Sequence, residues 1–180
     1  MSGGRSKAKG SVFERVVAAK LSLWITDGAS KDVFYRNILS GGRFTVKDVG
    51  MPGDLMASDP RGFPLLSLLS VECKHHKDIN FDHFMMAGAK SFLGRVYEKT
   101  RQQGEKDKLR PMLIAKGNRT GALVIVDKHT GAAFLDSIAS RSFNYHLLHR
   151  GKYFVCLFDD LMAVSDAASF MQLLKAPSGM

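Results

Sequence analysis

Residues 111–115 (PMLIA) and 122–126 (ALVIV) are unbroken apolar runs, and they constrain the fold more than any other feature of the chain. A strand with one wet face alternates polar and apolar residues, whereas a strand apolar on both faces has to be covered on both. Residues 65–74 make a third such run that ends abruptly in charge, and residues 132–135 and 153–158 read as further strands. The cover is legible as helical spacing. Apolar positions 12, 13, 16, 17 and 21 follow Ser11, with Glu14 three residues on as in a capping box, which predicts a helix to about Trp24. A second stripe at 81, 84, 85, 89, 92, 93 and 96 predicts a helix to about Gln103, followed by a loop over 104–110. Ser165 is expected to cap a closing helix through Leu174. Between the first helix and the third run, a short helix on Val33, Phe34 and Ile38 is expected, then a turn at 40–42 and a strand at 43–49. A turn at Pro52-Gly53, a short strand at 54–57 and a hairpin turn at 59–62 complete the segment. The chain reads as one α/β domain over 11–180, a central mixed sheet flanked by helices. Residues 1–10 (MSGGRSKAKG) read as a flexible basic arm.

The net charge of +9 is unevenly spread. Residues 1–50 hold nine basic and four acidic side chains, and residues 74–119 hold eleven and five. Residues 51–73 reverse the sign, with Arg61 against Asp54, Asp59 and Glu72. A polyanion binder that also needs a divalent cation distributes charge in this way, and so does a plain solvated basic surface. No apolar run reaches membrane-spanning length and the first residues lack the apolar stretch of a signal peptide, so a cytoplasmic protein without a membrane partner is expected. Cys73 and Cys156 lie in apolar runs and read as buried free thiols in a reducing compartment.

The chemistry is concentrated in Pro52-Gly53-Asp54 and, after seventeen intervening residues, Glu72-Cys73-Lys74. Side chains alternate along a strand, so Glu72 and Lys74 share one face and Cys73 takes the other. Two adjacent charges at the end of a buried strand have to be paired, solvated or bound to metal. If the Asp54 strand pairs with the 65–74 strand through the turn at 59–62, Asp54 and Glu72 converge. Two convergent carboxylates suit a hard cation such as Mg²⁺, which keeps waters and accepts a phosphate oxygen. A lysine beside them supplies a donor or a positive charge. The plainer alternative is a strand-end ion pair of Glu72 with Lys74, and Asp54 merely in a turn.

In order and context these motifs resemble the PD-(D/E)XK nuclease superfamily. The likeness is closest to small phage-encoded endonucleases and extends to Holliday-junction resolvases. It is carried by GSVFERVVAAKLSLWITDG (10–28), DVFYRNILSGGR (32–43), GDL (53–55), VECKHHK (71–77) and RPMLIAKGN (110–118). Gly53 between Pro52 and Asp54 is a departure the superfamily tolerates. The resemblance implies a restriction-endonuclease-like fold and a metal-dependent DNA endonuclease in which water attacks phosphorus and a 3′-hydroxyl leaves. Asp54 and Glu72 would bind Mg²⁺, with Mn²⁺ able to substitute, and the Cys73 carbonyl would be a third ligand. Lys74 would assist the water. Glu14 would serve a second metal or a metal-bound water, unless it only completes the capping box. The implied partner is DNA, with a homodimer and phage packaging or recombination proteins as further options, in the host cell cytoplasm.

Arg36, Ser40 and Arg43 lie in the segment that resembles the site-flanking loop of the phage enzymes, and read either as DNA-backbone contacts or as solvated surface. His75 and His76 point to opposite faces and lack the spacing of a zinc site, so they and Lys77 read as phosphate contacts or exposed groups. Lys116 and Asn118 end a strand beside the expected active edge. Lys90, Arg95, Lys99 and Arg101 offer further charge from the 81–103 helix, with Gln102 and Gln103 at its end, and Asp159-Asp160 reads as a turn. The rival functions are a dimeric junction resolvase, a non-catalytic nucleic-acid-binding protein of the same fold, and a basic RNA-associated protein. The last leaves Asp54, Glu72 and Lys74 unexplained.

Overall fold

The apolar runs form the centre of one mixed sheet. The computed structural model describes residues 3–37, 53–138 and 142–176, and side chains from residue 8 onward. The runs become β3 (Leu69–His75), β4 (Arg110–Lys116), β5 (Ala122–Asp127) and β7 (Tyr153–Leu157), joined by β6 (Tyr145–Leu148) in the order β3-β4-β5-β7-β6. β3 and β4 are parallel and the other pairs antiparallel. Alternation divides the core between the two faces. Met112, Ile114, Val124, Val126, Phe154 and Cys156 belong to one buried cluster, and Leu113, Ala115, Ile125, Tyr153 and Val155 to the other.

Helices cover both faces, as expected. On the first face lie α1 (Gly3–Ile25), α5 (Lys128–Asp136), α6 (Phe158–Val164) and α7 (Ala167–Lys175), which contribute Val17, Leu21, Phe134, Leu161 and Phe170 to its core. On the second lie α3 (Phe81–Ala87) and α4 (Phe92–Lys106), which bring Phe84, Leu93 and Tyr97. Two short strands, β1 (Phe34–Arg36) and β2 (Leu55–Ala57), pair antiparallel in a separate ribbon against α1. A 3₁₀ turn (Pro60–Gly62) and α2 (Phe63–Leu66) connect the ribbon to β3.

Several local expectations are corrected. Residues 3–10, expected as a flexible arm, are helical and continue into α1. Ser11 is therefore inside the helix, where its hydroxyl donates to the Ala8 carbonyl at 3.2 Å, and the capping box with Glu14 does not form. Of the stripe Val33-Phe34, Val33 lies in a bend and Phe34 opens β1, its amide donating to the Ser22 hydroxyl at 2.9 Å. The 65–74 run is a helix before it is a strand, because Pro64 suits a helix's first turn. β2 therefore pairs with β1 and forms no hairpin with β3.

The long helix over 81–103 breaks at Gly88 (φ 51°), and Ser91 caps its second half, which runs on through residues expected as loop. Residues 132–135 are helix, with the Asp127 carboxylate capping the Thr130 amide at 2.8 Å; a four-residue apolar burst has no period to read. Asp159 and Asp160 occupy the first turn of α6, where negative charge is favoured. Asp166 rather than Ser165 caps α7. The expected turn at 40–42 and strand at 43–49, with Ile38 and Pro52, lie outside the described residues.

Candidate active site

Among the described residues β3 is the edge strand on its side of the sheet, and the edge turned away from β4 positions the site. Even-numbered residues direct their backbone toward β4: the Leu68 carbonyl accepts from the Arg110 amide at 2.9 Å, and the His76 amide donates to the Lys116 carbonyl at 3.1 Å. Odd-numbered residues turn theirs the other way, toward Asp54. The Asp54 amide donates to the Val71 carbonyl at 2.8 Å, and the Cys73 amide donates to Asp54 Oδ2 at 2.8 Å. The amide and carbonyl of one strand residue point to the same side, so the Cys73 carbonyl also faces this open edge.

Gly53 makes the close approach possible. Its φ is +116°, and a Cβ there would lie 2.6 Å from the Val71 carbonyl oxygen. Asn37 clamps the same segment from the ribbon, donating its backbone amide to the Asp54 carbonyl at 2.7 Å and its side-chain amide to the Gly53 carbonyl at 3.2 Å. Asp54 itself is buried. Neither Asn37 nor the need for glycine at 53 was apparent in the sequence, because both depend on the path of a strand distant along the chain.

Glu72 is half-buried on the face that looks toward α4. Desolvation, reinforced by the Asp54 and Glu14 carboxylates, pushes its carboxyl up to about 7, while Lys74 and Lys99 pull it down. Two other carboxylates thus act on Glu72, one from the turn before β2 and one from α1. The charge of Lys99 on α4 is also felt at Glu72, which its place in the helix stripe did not distinguish from that of neighbouring lysines. The Cys73 thiol is buried, and desolvation with the same carboxylates holds it far above the usual thiol value, so it stays protonated. Gln102 and Gln103 are exposed on α4.

Glu14 has a partner that sequence did not suggest: its carboxylate forms an ion pair with the Arg36 guanidinium, both side chains being mostly buried. His75 lies on the α1 face with its ring edge-on to Phe13 at 5.8 Å, whereas His76 stacks on Phe92 at 5.2 Å and approaches Asp78 at 3.4 Å. The two histidines therefore do point apart. Lys77 and Asn118 are exposed in the turns beyond β3 and β4, and Lys116 pairs in register with His75. Ser40 and Arg43 lie outside the described residues.

Among the described residues, no three His, Cys, Asp or Glu side chains are close enough to hold a metal ion between them. The donors at the edge of β3 are two carboxylates and a backbone carbonyl, all oxygen. That set fits a hard cation that keeps most of its water, and not zinc or another metal requiring a closed protein cage. The excess of negative charge around Glu72 is what such a cation would relieve.

Glu72 gives the metal-free protein a definite pH dependence. Its folded-state pKa of about 7 lies above the usual 4.5, so between these values the folded state keeps a proton that the unfolded state has released. Stability should fall as pH rises through this window, by on the order of 2 kcal/mol. Denaturant unfolding in chelator at about pH 5 and about pH 7.5 measures the fall, and Glu72→Gln should flatten it. An equal fall in the variant would assign it to another group.

A family described as "Phage putative PDDEXK endonuclease" matches the chain over residues 5–171. No curated protein and no solved structure matches it. The matched span includes every element from α1 through most of α7, and so both the sheet edge and the ribbon that carries Asp54.

Proposed function

This chain belongs to the phage PDDEXK endonuclease family, and from that premise we propose that it hydrolyses phosphodiester bonds of DNA using a divalent cation, Mg²⁺ or Mn²⁺. The observation that carries this reading is the Asp54 carboxylate bonded to the Cys73 amide at the edge of β3, beside Glu72, whose carboxyl feels the charges of Asp54 and Glu14, with Lys74 on the same strand face as Glu72. Asp54, Glu72 and the Cys73 carbonyl would hold the cation, which when bound stabilises charge on the phosphate and acidifies a water. Asp54 is oriented for this by the Cys73 amide, which occupies one of its oxygens and leaves the other to the site. Lys74 donates to the attacking water or to a phosphate oxygen, and a 3′-hydroxyl leaves. Lys77, Lys116, His75 and His76, with Asn118, line the end of the sheet on which the DNA backbone would run.

The ion pair with Arg36 defines what Glu14 does. Arg36 engages Oε2 of Glu14, and its positive charge competes with any cation that the same carboxylate would serve. If Glu14 supports the metal, Arg36→Ala should tighten Mg²⁺ binding by removing a competing cation, and Glu14→Gln should weaken it by about tenfold, as for outer-shell metal partners. Asp54→Asn and Glu72→Gln should abolish binding. Calorimetric titration of the four variants with Mg²⁺ tests the assignment. Unchanged affinity in both Glu14→Gln and Arg36→Ala would leave Glu14 as a holder of Arg36, and unchanged affinity in Glu72→Gln would remove the proposed cation site.

A further inference from the structure

A groove of about 380 Å³ lies on the α1 face of β3, separate from the carboxylates, and of its lining only His75 and Lys116 carry a role above. Its floor and walls are apolar: Phe13 and Val17 from α1, Ala122 from β5 and Phe158 from α6. Val12 and Val16 stand at its lip and remain 56% and 44% exposed, an unusual placement for two β-branched residues on one helix face. The rim is basic. Lys9, Lys20 and Lys116 surround the groove, and its single acid, Asp159, is already paired with Lys20. His75 closes one end with its ring against Phe13.

The groove and Lys74 lie on opposite faces of β3 and meet at the end of that strand. Phe13 directly precedes Glu14 on α1, and His75 follows Lys74 on β3 with its side chain on the other face. A nucleic-acid strand with a phosphate at Lys74 reaches the groove mouth by crossing the end of β3 past His75 and Lys116. An apolar slot with an aromatic wall and a lysine rim has the chemistry that holds an unpaired base while its phosphates stay in water. A base inside a duplex is stacked and paired, and cannot offer its face to such a slot.

We propose that this groove receives an unpaired base of the substrate, so that the enzyme prefers DNA with a single-stranded segment beside the cleaved bond over continuous duplex. The inference rests on the nuclease reading for its substrate but not for its geometry. A helix or a second copy of the chain would also bury Val12 and Val16. The lysine rim and the position of the groove at the same strand end as Lys74 favour the nucleotide.

The test uses the full chain in chelator, with labelled single-stranded, flapped and fully duplex oligonucleotides at one salt concentration. The double variant Val12→Gln/Val16→Gln removes the apolar lip without changing charge, and Gln is a better helix former than Val, so its melting temperature should hold. Wild type should bind the flapped and single-stranded forms about tenfold more tightly than duplex, and the variant should lose most of that preference. A 2-aminopurine placed in the flap should change fluorescence on binding wild type and much less on binding the variant.

Equal affinity of wild type for all forms would overturn the proposal. So would a preference unchanged in the variant, or a wild-type dimer that the variant turns into a monomer without altering the preference. Cleavage in Mg²⁺ is scored separately. Cleavage without strand preference defeats the groove alone, and strand preference without cleavage defeats the nuclease reading alone.

Discussion

Lys74→Ala is expected to lose cleavage by at least about a hundredfold while Mg²⁺ and DNA still bind, the loss typical of a group that acts on the reacting atoms. The physical basis is placement. Lys74 shares the strand face of Glu72, and its charge is felt at the Glu72 carboxyl, so its ammonium lies beside the proposed cation site without being a ligand in it. Removing it leaves Asp54, Glu72 and the Cys73 carbonyl in position. It also removes a charge that pulls the Glu72 pKa down, so the variant should need somewhat higher pH to bind Mg²⁺. Single-turnover cleavage alongside equilibrium binding separates the two effects. Near-normal turnover would take Lys74 out of the mechanism, and loss of Mg²⁺ binding equal to the loss of rate would make it a structural partner of Glu72.

Gly53→Ala should be nearly as damaging, through geometry alone. The added methyl meets the Val71 carbonyl at 2.6 Å and forces a side chain onto a backbone with φ +116°. Neither can be relieved by a rotamer change, because the obstacle is main chain. The cost is on the order of 1–3 kcal/mol of local strain, and the simplest escape is for the 53–54 segment to draw away from β3. That withdrawal breaks the bonds from the Asp54 amide to Val71 and from the Cys73 amide to the Asp54 carboxylate. Cleavage should therefore fall with Mg²⁺ affinity, and melting should fall by several degrees. A variant of wild-type stability and activity would show that Asp54 does not depend on this approach. Asn37→Ala should have a smaller effect in the same direction, since it removes one of two groups that clamp the segment.

The placement of Glu72 and Lys74 on one face was legible because strand alternation is strict and the charged pair interrupts an apolar run. Burial of Cys73 on the other face follows from the same alternation. That Asp54 would meet this strand was also legible, but the route was not. A hairpin through residues 59–62 is the shortest connection, whereas the chain forms a 3₁₀ turn there, continues into α2 and brings Asp54 to β3 through one backbone and one side-chain bond. The central sheet was readable in β4, β5 and β7, whose runs are apolar throughout. β6 was not, because its residues are mostly exposed and carry no apolar run. Glu14 shows why local patterns mislead: Ser11 and Glu14 fit a capping box, yet the helix had already begun at Gly3, and the partner of Glu14 came from β1. Lys99 was visible only as one of several helix lysines, since nothing in the sequence says which strand passes beneath it.

Cleavage of a covalently closed plasmid, with a flapped oligonucleotide in parallel, tests the central claim most directly. Wild type and Glu72→Gln are each assayed in Mg²⁺, in Mn²⁺ and in chelator. Wild type should nick or cut in either metal and leave the DNA intact in chelator, and Glu72→Gln should be inactive throughout while retaining its fold. Cutting in chelator, cutting by Glu72→Gln at the wild-type rate, or intact DNA from wild type in both metals would contradict a metal-dependent nuclease built on the edge of β3.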